Sequence, residues 1–330
     1  MPKRKQPAYV QESSCPITYP RSVEISTPII DTHTHLLSTF QKFRQSYPNS
    51  AIDDIFSFVR WLYKPSNPKV EAIVDVWCEA PVISLWRELA DSALSEDDRQ
   101  QKWDGIDYWF VMGGHRYRSM SSHLLIADIG RHNAKSYNDE VEHEILRAMD
   151  HPRCVGWGEI GLDYHYDLSP REIQRQVFTR QLRHAIRLKK PLTIHTREAE
   201  PDTEAILKAE VPQDHPVRPI LNPTLSTGVV TYATNTNTPD VIRNFIKSSS
   251  RLRILLETDA PYMIPSNIYR DLSTLVSSAK LPLSHTAMIP WTAEWVAKVA
   301  QEGDQTSAEV WNVERVLELG KCNAKAVYDI

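Results

Sequence analysis

The stretch STPIIDTHTHLL, residues 26–37, begins as an apolar strand and ends on Asp31, His33 and His35 at alternate positions. Side chains two apart on a strand share a side, so all three face one way at the strand's C-terminal end. That end is where parallel α/β proteins build their sites. An imidazole taken out of water needs a partner, which the rest of the chain must supply. An H-x-H pair alone says little: twelve histidines in 330 residues give roughly 0.4 such pairs by chance.

Working outward, short β-branched or apolar runs alternate with helix-like stretches, the pattern of βα units around a parallel sheet. Seven candidate strands cover residues 28–35, 69–78, 107–114, 154–163, 191–197, 227–234 and 252–260. The expected fold is a TIM (β/α)8-type barrel, incomplete because seven strands rather than eight are recognised. The clearest helices are 171–189, with Ser169 as N-cap and Pro170 at N1, and 291–301; both carry apolar residues at three-to-four spacing. Residues 36–68 and 83–106 read as helices and loops.

Three further strands end in the same chemistry. Residues 154–163 deliver Glu159, residues 191–197 deliver His195, and residues 252–260 deliver Asp259. Imidazoles with carboxylates form a ligand set for Mg, Mn or Zn, and a carboxylate can bridge two ions while another activates water. Each piece has a plainer role: His33 and His35 as satisfied histidines, Glu159 pairing with an arginine, Asp259 capping a helix. Their joint occurrence at four strand ends favours a dinuclear hydrolytic site.

The formal net charge of −4 excludes a protein that coats nucleic acid through overall charge, while leaving room for a local phosphate site. Cys15, Cys78, Cys154 and Cys322 lie far apart without C-x-x-C spacing, so neither a cysteine zinc site nor a disulfide framework is signalled. No secretory or membrane-spanning run is present in the sequence. The expected setting is cytoplasmic or nuclear, with residues 1–25 as a flexible tail and residues 26–330 as the barrel.

The segments DTHTHL, GEIGLDYHYD, TIHTRE and LLETDAPYM resemble the signature segments of the TatD family of metal-dependent deoxyribonucleases, within the amidohydrolase-like superfamily. The likeness runs from about residue 28 to the closing KCNAKAVYDI, and the wording GVVTYATNTNT resembles a eukaryotic branch. The resemblance implies that His33, His35 and Asp259 hold one ion, that Glu159 bridges two, and that His195 ligates the second. It further implies Asp259 as base and Arg197 as a phosphate contact. The reaction would be hydrolysis of DNA phosphodiesters by trimming of 3′ ends.

Two departures stand out. The family's further histidine strand for the second ion is missing, with an apparent deletion near 215–226 where VPQDHPVRPILNPTLSTG offers only His215. His195 to Asp259 nonetheless spans enough chain for two βα units of about 30 residues each, and three prolines in PVRPILNPTL remove ladder donors. The second is an apparent insertion near 116–131, which separates His115, a candidate phosphate contact, from His132. Two other functions compete with the nuclease. One is a small-molecule amidohydrolase, against which the bridging position holds Glu159 rather than a lysine. The other is an impaired scaffold that binds a cell-cycle ubiquitin-ligase subunit, a partner implied by the resemblance to the eukaryotic branch.

Overall fold

The computed structural model describes residues 8–20, 25–80, 84–117, 131–132, 134–212, 225–226, 237–248, 252–271, 279–303 and 310–330. Its long strands are β1 (Ile29–Thr34), β2 (Val70–Ala80), β3 (Asp107–Tyr117), β5 (Cys154–Asp163) and β6 (Leu192–Arg197), which neighbour one another in chain order. The two-residue β4 (Arg131–His132) turns back antiparallel onto the end of β3. Helices separate the long strands, so the chain is built of βα units as the sequence predicts. The segment between β3 and β4, the expected insertion, lies outside the described residues, although its two ends pair as Arg116 with His132 and Tyr117 with Arg131.

Chain contacts divide the protein into two compact units. The first comprises Met1–Val74, Glu96–Asp107 and Leu225–Lys325. Within it, α1 (Leu36–Ser46) and α2 (Ile55–Tyr63) follow β1, and α4 (Glu96–Trp103) lies against α2. Helix α2 forms because Asp54 caps it, accepting from Phe56 N and Ser57 N at 2.9 Å each. Its Ile55, Phe58, Val59 and Leu62 then fall on one buried face. Phe58 packs against Phe43 with ring centroids 4.9 Å apart, and Trp103 meets Phe56 edge-on at 5.2 Å. Helices Ile289–Gly303 and Val313–Tyr328 and the short parallel pair β7 (Leu225–Ser226) and β8 (Ile254–Leu255) complete this unit. The strand expected over 227–234 lies outside the described residues.

The N-terminal segment departs from expectation. Residues 8–20 are docked rather than a free tail: Val10, Cys15, Ile17 and Tyr19 are buried. Val10 N donates to Lys280 O at 3.1 Å, Tyr47 OH donates to Val10 O at 2.8 Å, and the Tyr19 ring meets Trp291 at 5.0 Å. Four buried side chains and a backbone bridge outweigh the ordering entropy that a polar-looking segment would otherwise keep.

The second unit comprises Asp75–Ser95, Tyr108–Thr224 and Ala326–Ile330. It contains α3 (Leu85–Asp91), α5 (Asp139–Met149), α6 (Arg171–Leu188) and α7 (Glu200–Glu210) around β3, β5 and β6. These three strands run parallel, with Gly161 level with His195 and Asp163 level with Arg197. Gly161 is required there: its φ is +147° and an added Cβ would sit 1.9 Å from His195 O. Helix α6 buries Gln174, Phe178, Gln181, Leu182 and Ala185. Gln181 pins β3 by taking Gly114 N at 2.8 Å and donating to Gly114 O at 2.9 Å. Its cap differs from the expected one: the N-cap is Pro170, not Ser169, and the helix starts at Arg171. Ser169 is buried instead, its carbonyl accepting from Gln174 Nε2 at 2.9 Å.

Candidate metal centre

In the first unit the end of β1 and residues 257–260 run side by side. Thr32 N donates to Leu256 O (3.0 Å), Asp259 N to His33 O (3.0 Å) and His35 N to Ala260 O (2.9 Å). This register brings three of the expected donors together. The Nε2 atoms of His33 and His35 face each other at 3.3 Å, and Asp259 Oδ1 lies 3.4 Å from His35 Nε2 and 3.8 Å from His33 Nε2. One ligand atom from each falls within 4.8 Å of the others. Glu257 Oε2 sits 3.5 Å from His33 Nδ1, on the side of the ring away from the converging Nε2 atoms, where a carboxylate favours turning Nε2 toward an ion.

Asp259 holds a left-handed backbone at φ 49°, a conformation that costs a non-glycine residue free energy and clusters at functional sites. Asp31 lies wholly buried behind this group. Burial raises its pKa to about 6, against the opposing hydrogen bonds from Thr258, Thr286 and the backbone of His33 and Thr258. Two imidazoles and a carboxylate converging on one point, one imidazole already oriented from behind, fit a divalent cation.

In the second unit Glu159 sits at an irregularity in the β5–β6 ladder, where the register shifts between Gly158 and Ile160. Such bulges re-aim a side chain. Here Glu159 Oε1 lies 3.0 Å from His195 Nδ1. His195 Nε2 faces Asp163 Oδ2 at 3.1 Å, and Asp163 is itself fully buried, with Oδ1 accepting from Tyr166 N at 2.9 Å and its own N donating to Gln174 Oε1 at 2.9 Å. Burial alone would depress the His195 pKa; the Asp163 and Glu159 carboxylates outweigh it and raise the value to about 9. Ligation needs a neutral imidazole, so an ion bound there would release a proton. Arg197, two residues on, is exposed and lies over the Tyr166 ring at 4.9 Å.

Of the other expected residues, His115 lies on β3 but its side chain is outside the described part, and His215 is outside the described residues altogether. Sequence reasoning missed Asp163 and Glu257. Each had a signal: Asp163 is four residues past Glu159 on the same strand, and Glu257 precedes Asp259 by two, so period-two alternation places both with the donors.

The family described as TatD related DNase matches residues 115–329. A human protein named 3′-5′ RNA nuclease TATDN2 is 31% identical over 264 residues, covering 74% of this chain and 30% of its own length. The 3′-5′ ssDNA/RNA exonuclease TatD of Pectobacterium atrosepticum is 27% identical over 256 residues, covering 69% of this chain and 96% of its own. Among solved structures, a hydrolase TatD family protein from Entamoeba histolytica superposes with TM-score 0.58 at 15% identity, over 92% of this chain and 99% of that one. The YJJV TatD homologue of Escherichia coli gives TM-score 0.53 at 17% identity, over 92% and 98%. These two likenesses speak to fold.

Proposed function

Because the chain belongs to the TatD-related DNase family, we propose that it is a divalent-metal-dependent hydrolase of nucleic-acid phosphodiester bonds that removes nucleotides from 3′ ends, with single-stranded DNA as its substrate. The observation that carries this reading is the convergence of His33 Nε2, His35 Nε2 and Asp259 Oδ1 within 4.8 Å. The names of the human and bacterial relatives support phosphodiester cleavage from 3′ ends. They also make RNA the first competing substrate to measure.

In this reading His33, His35 and Asp259 would hold one ion, and Glu159 with His195 would serve a second. A bound divalent ion supplies Lewis-acid activation of water and neutralises charge on the phosphate. The protein's own groups do the rest. Asp259 takes a proton from the attacking water at a carboxylate oxygen, and Asp163 keeps His195 in one orientation. Arg197, exposed beside Tyr166, offers its guanidinium fork to a substrate phosphate.

The test is the metal-to-protein ratio after reconstitution with Mg, Mn or Zn, followed by digestion of 3′-labelled and 5′-labelled single-stranded DNA and RNA. Two ions per chain and loss of nucleotides from the 3′ end of DNA, abolished in Glu159→Ala, are expected. A folded chain that takes up ions and cuts neither polymer would overturn the proposal, and preference for RNA would replace its substrate.

A further inference from the structure

Asp31 has no part in the chemistry just described, yet it is wholly buried and accepts hydrogen bonds from three segments of the first unit. Its Oδ1 accepts from His33 N and from Thr258 N, both at 3.2 Å. Its Oδ2 accepts from the hydroxyl of Thr258 at 2.7 Å and from that of Thr286 at 2.8 Å. The two N–H groups that share Oδ1 belong to the two donor-bearing segments: one carries His33 and His35, the other Asp259. A single oxygen atom thus holds both segments at once.

The main-chain ties between these segments are few. Residues 257–260 form no continuous ladder with β1; the pairing is one isolated bridge, Thr34 with Ala260, and three backbone hydrogen bonds. Asp259 must also be kept at φ 49°, a backbone that a side-chain-bearing residue leaves readily unless its neighbours are fixed. Its preceding residue, Thr258, is fixed twice by Asp31, through main chain and hydroxyl. A charge buried to this degree is retained at a cost unless its hydrogen bonds are filled, and four donors fill these.

We propose that Asp31 is a positioning residue for metal binding: its carboxylate clamps the two donor segments so that the His33, His35 and Asp259 atoms converge on one ion. The inference rests on the reading of those three residues as ligands. It assigns to the first acid of the Asp-Thr-His-Thr-His run a role distinct from ligation, exerted through His33 N and Thr258.

The full chain, metal-free, is titrated with Co2+ as wild type and as Asp31→Asn, Thr258→Val and Thr258→Ser, reading both affinity and the visible absorption band that reports ligand geometry. Thermal melting of each metal-free protein is followed in parallel. Asp31→Asn is expected to weaken the Co2+ affinity by about 10- to 100-fold and to change the band. Thr258→Val should do the same to a smaller extent, and Thr258→Ser, which keeps the hydroxyl, should restore both readings. A purely structural role would lower melting temperatures and leave affinity and band unchanged; that result overturns the clamp. If Asp31→Asn does not fold, Thr258→Val decides alone, because it retains Asp31. Wild type that binds no Co2+, or binds it unchanged after His33→Ala with His35→Ala, overturns the ligand assignment and the clamp together. Wild type that binds through the histidines while the variants bind equally well overturns the clamp only.

Discussion

Asp163 Oδ2 and His195 Nε2 lie 3.1 Å apart, and this contact makes one unit of two residues on adjacent parallel strands. Asp163 is held at three points, by His195, Tyr166 N and the Gln174 side chain. Its carboxylate therefore fixes the imidazole more than it shifts toward it. Asp163→Ala should lower kcat/KM for nucleic-acid hydrolysis by about 10- to 100-fold, and His195→Ala by at least as much. Because one acts through the other, the double variant should be scarcely worse than His195→Ala alone. Fully additive losses in the steady-state rates would show that the two residues act separately.

How much of this was legible in the sequence depends on the range of the forces involved. The strand at 154–163 matches residue for residue, because its nearly continuous apolar run is bounded by local turn signals. The donors at strand ends were legible for the same reason. Asp163 shared the alternation with Glu159, but an acid beside Tyr164 at the end of a strand also reads as a turn former, and the His195 contact, from a residue far along the chain, decides between the two. Residues 8–20 fail similarly: Val10, Cys15, Ile17 and Tyr19 are spaced irregularly among polar residues, and their burial comes from Tyr47, Lys280 and Trp291. Ser169 was one residue off as a cap because its hydroxyl accepts from Lys135 N at 3.4 Å, a partner far along the chain that no local pattern shows.

Gly161 gives the sharpest steric prediction. At φ +147°, with a Cβ placed 1.9 Å from His195 O, Gly161→Ala cannot be absorbed by moving a flexible side chain. The β5–β6 ladder itself must separate at the level of His195. A destabilisation on the order of 3 kcal/mol or more is expected, seen as a lower urea midpoint, with nuclease activity lost even in protein that remains folded. An unchanged midpoint would contradict this strand approach.

The aromatic core of the first unit should be equally unforgiving. Phe58 is fully buried and its ring meets Phe40, Phe43 and Trp61 at 5.4, 4.9 and 6.4 Å. Phe58→Ala leaves a cavity among rings that cannot collapse without losing their own contacts, and should cost about 3–5 kcal/mol. Leu94, 47% exposed, serves as the control: Leu94→Ala should stay within about 0.5 kcal/mol of wild type. Chemical denaturation of the two variants side by side checks both figures.

His285 should make stability depend on acid in a direction that can be worked out. The ring is wholly buried, with Nε2 3.1 Å from Cys15 O and the Tyr63 ring 6.0 Å away. Burial pushes its pKa from 6.5 down to about 4. The neighbouring Cys15 thiol, itself raised to about 11 by burial, stays neutral and adds no opposing charge. Between pH 4 and 6.5 the unfolded chain therefore holds more protons at this position than the folded one. The stabilisation is complete above pH 6.5 and is lost as pH falls through that window, by on the order of 3 kcal/mol. Asp31, with its pKa raised, pulls the other way, being destabilising as pH rises from 3.8 through about 6. The wild-type slope is thus a difference of two opposed titrations, and His285→Asn should expose the Asp31 part. In unfolding free energies measured from pH 4 to 7, wild type minus His285→Asn should rise with pH. A difference that stays flat across this range would mean that the ring titrates alike in the folded and unfolded states, so that burial does not lower its pKa.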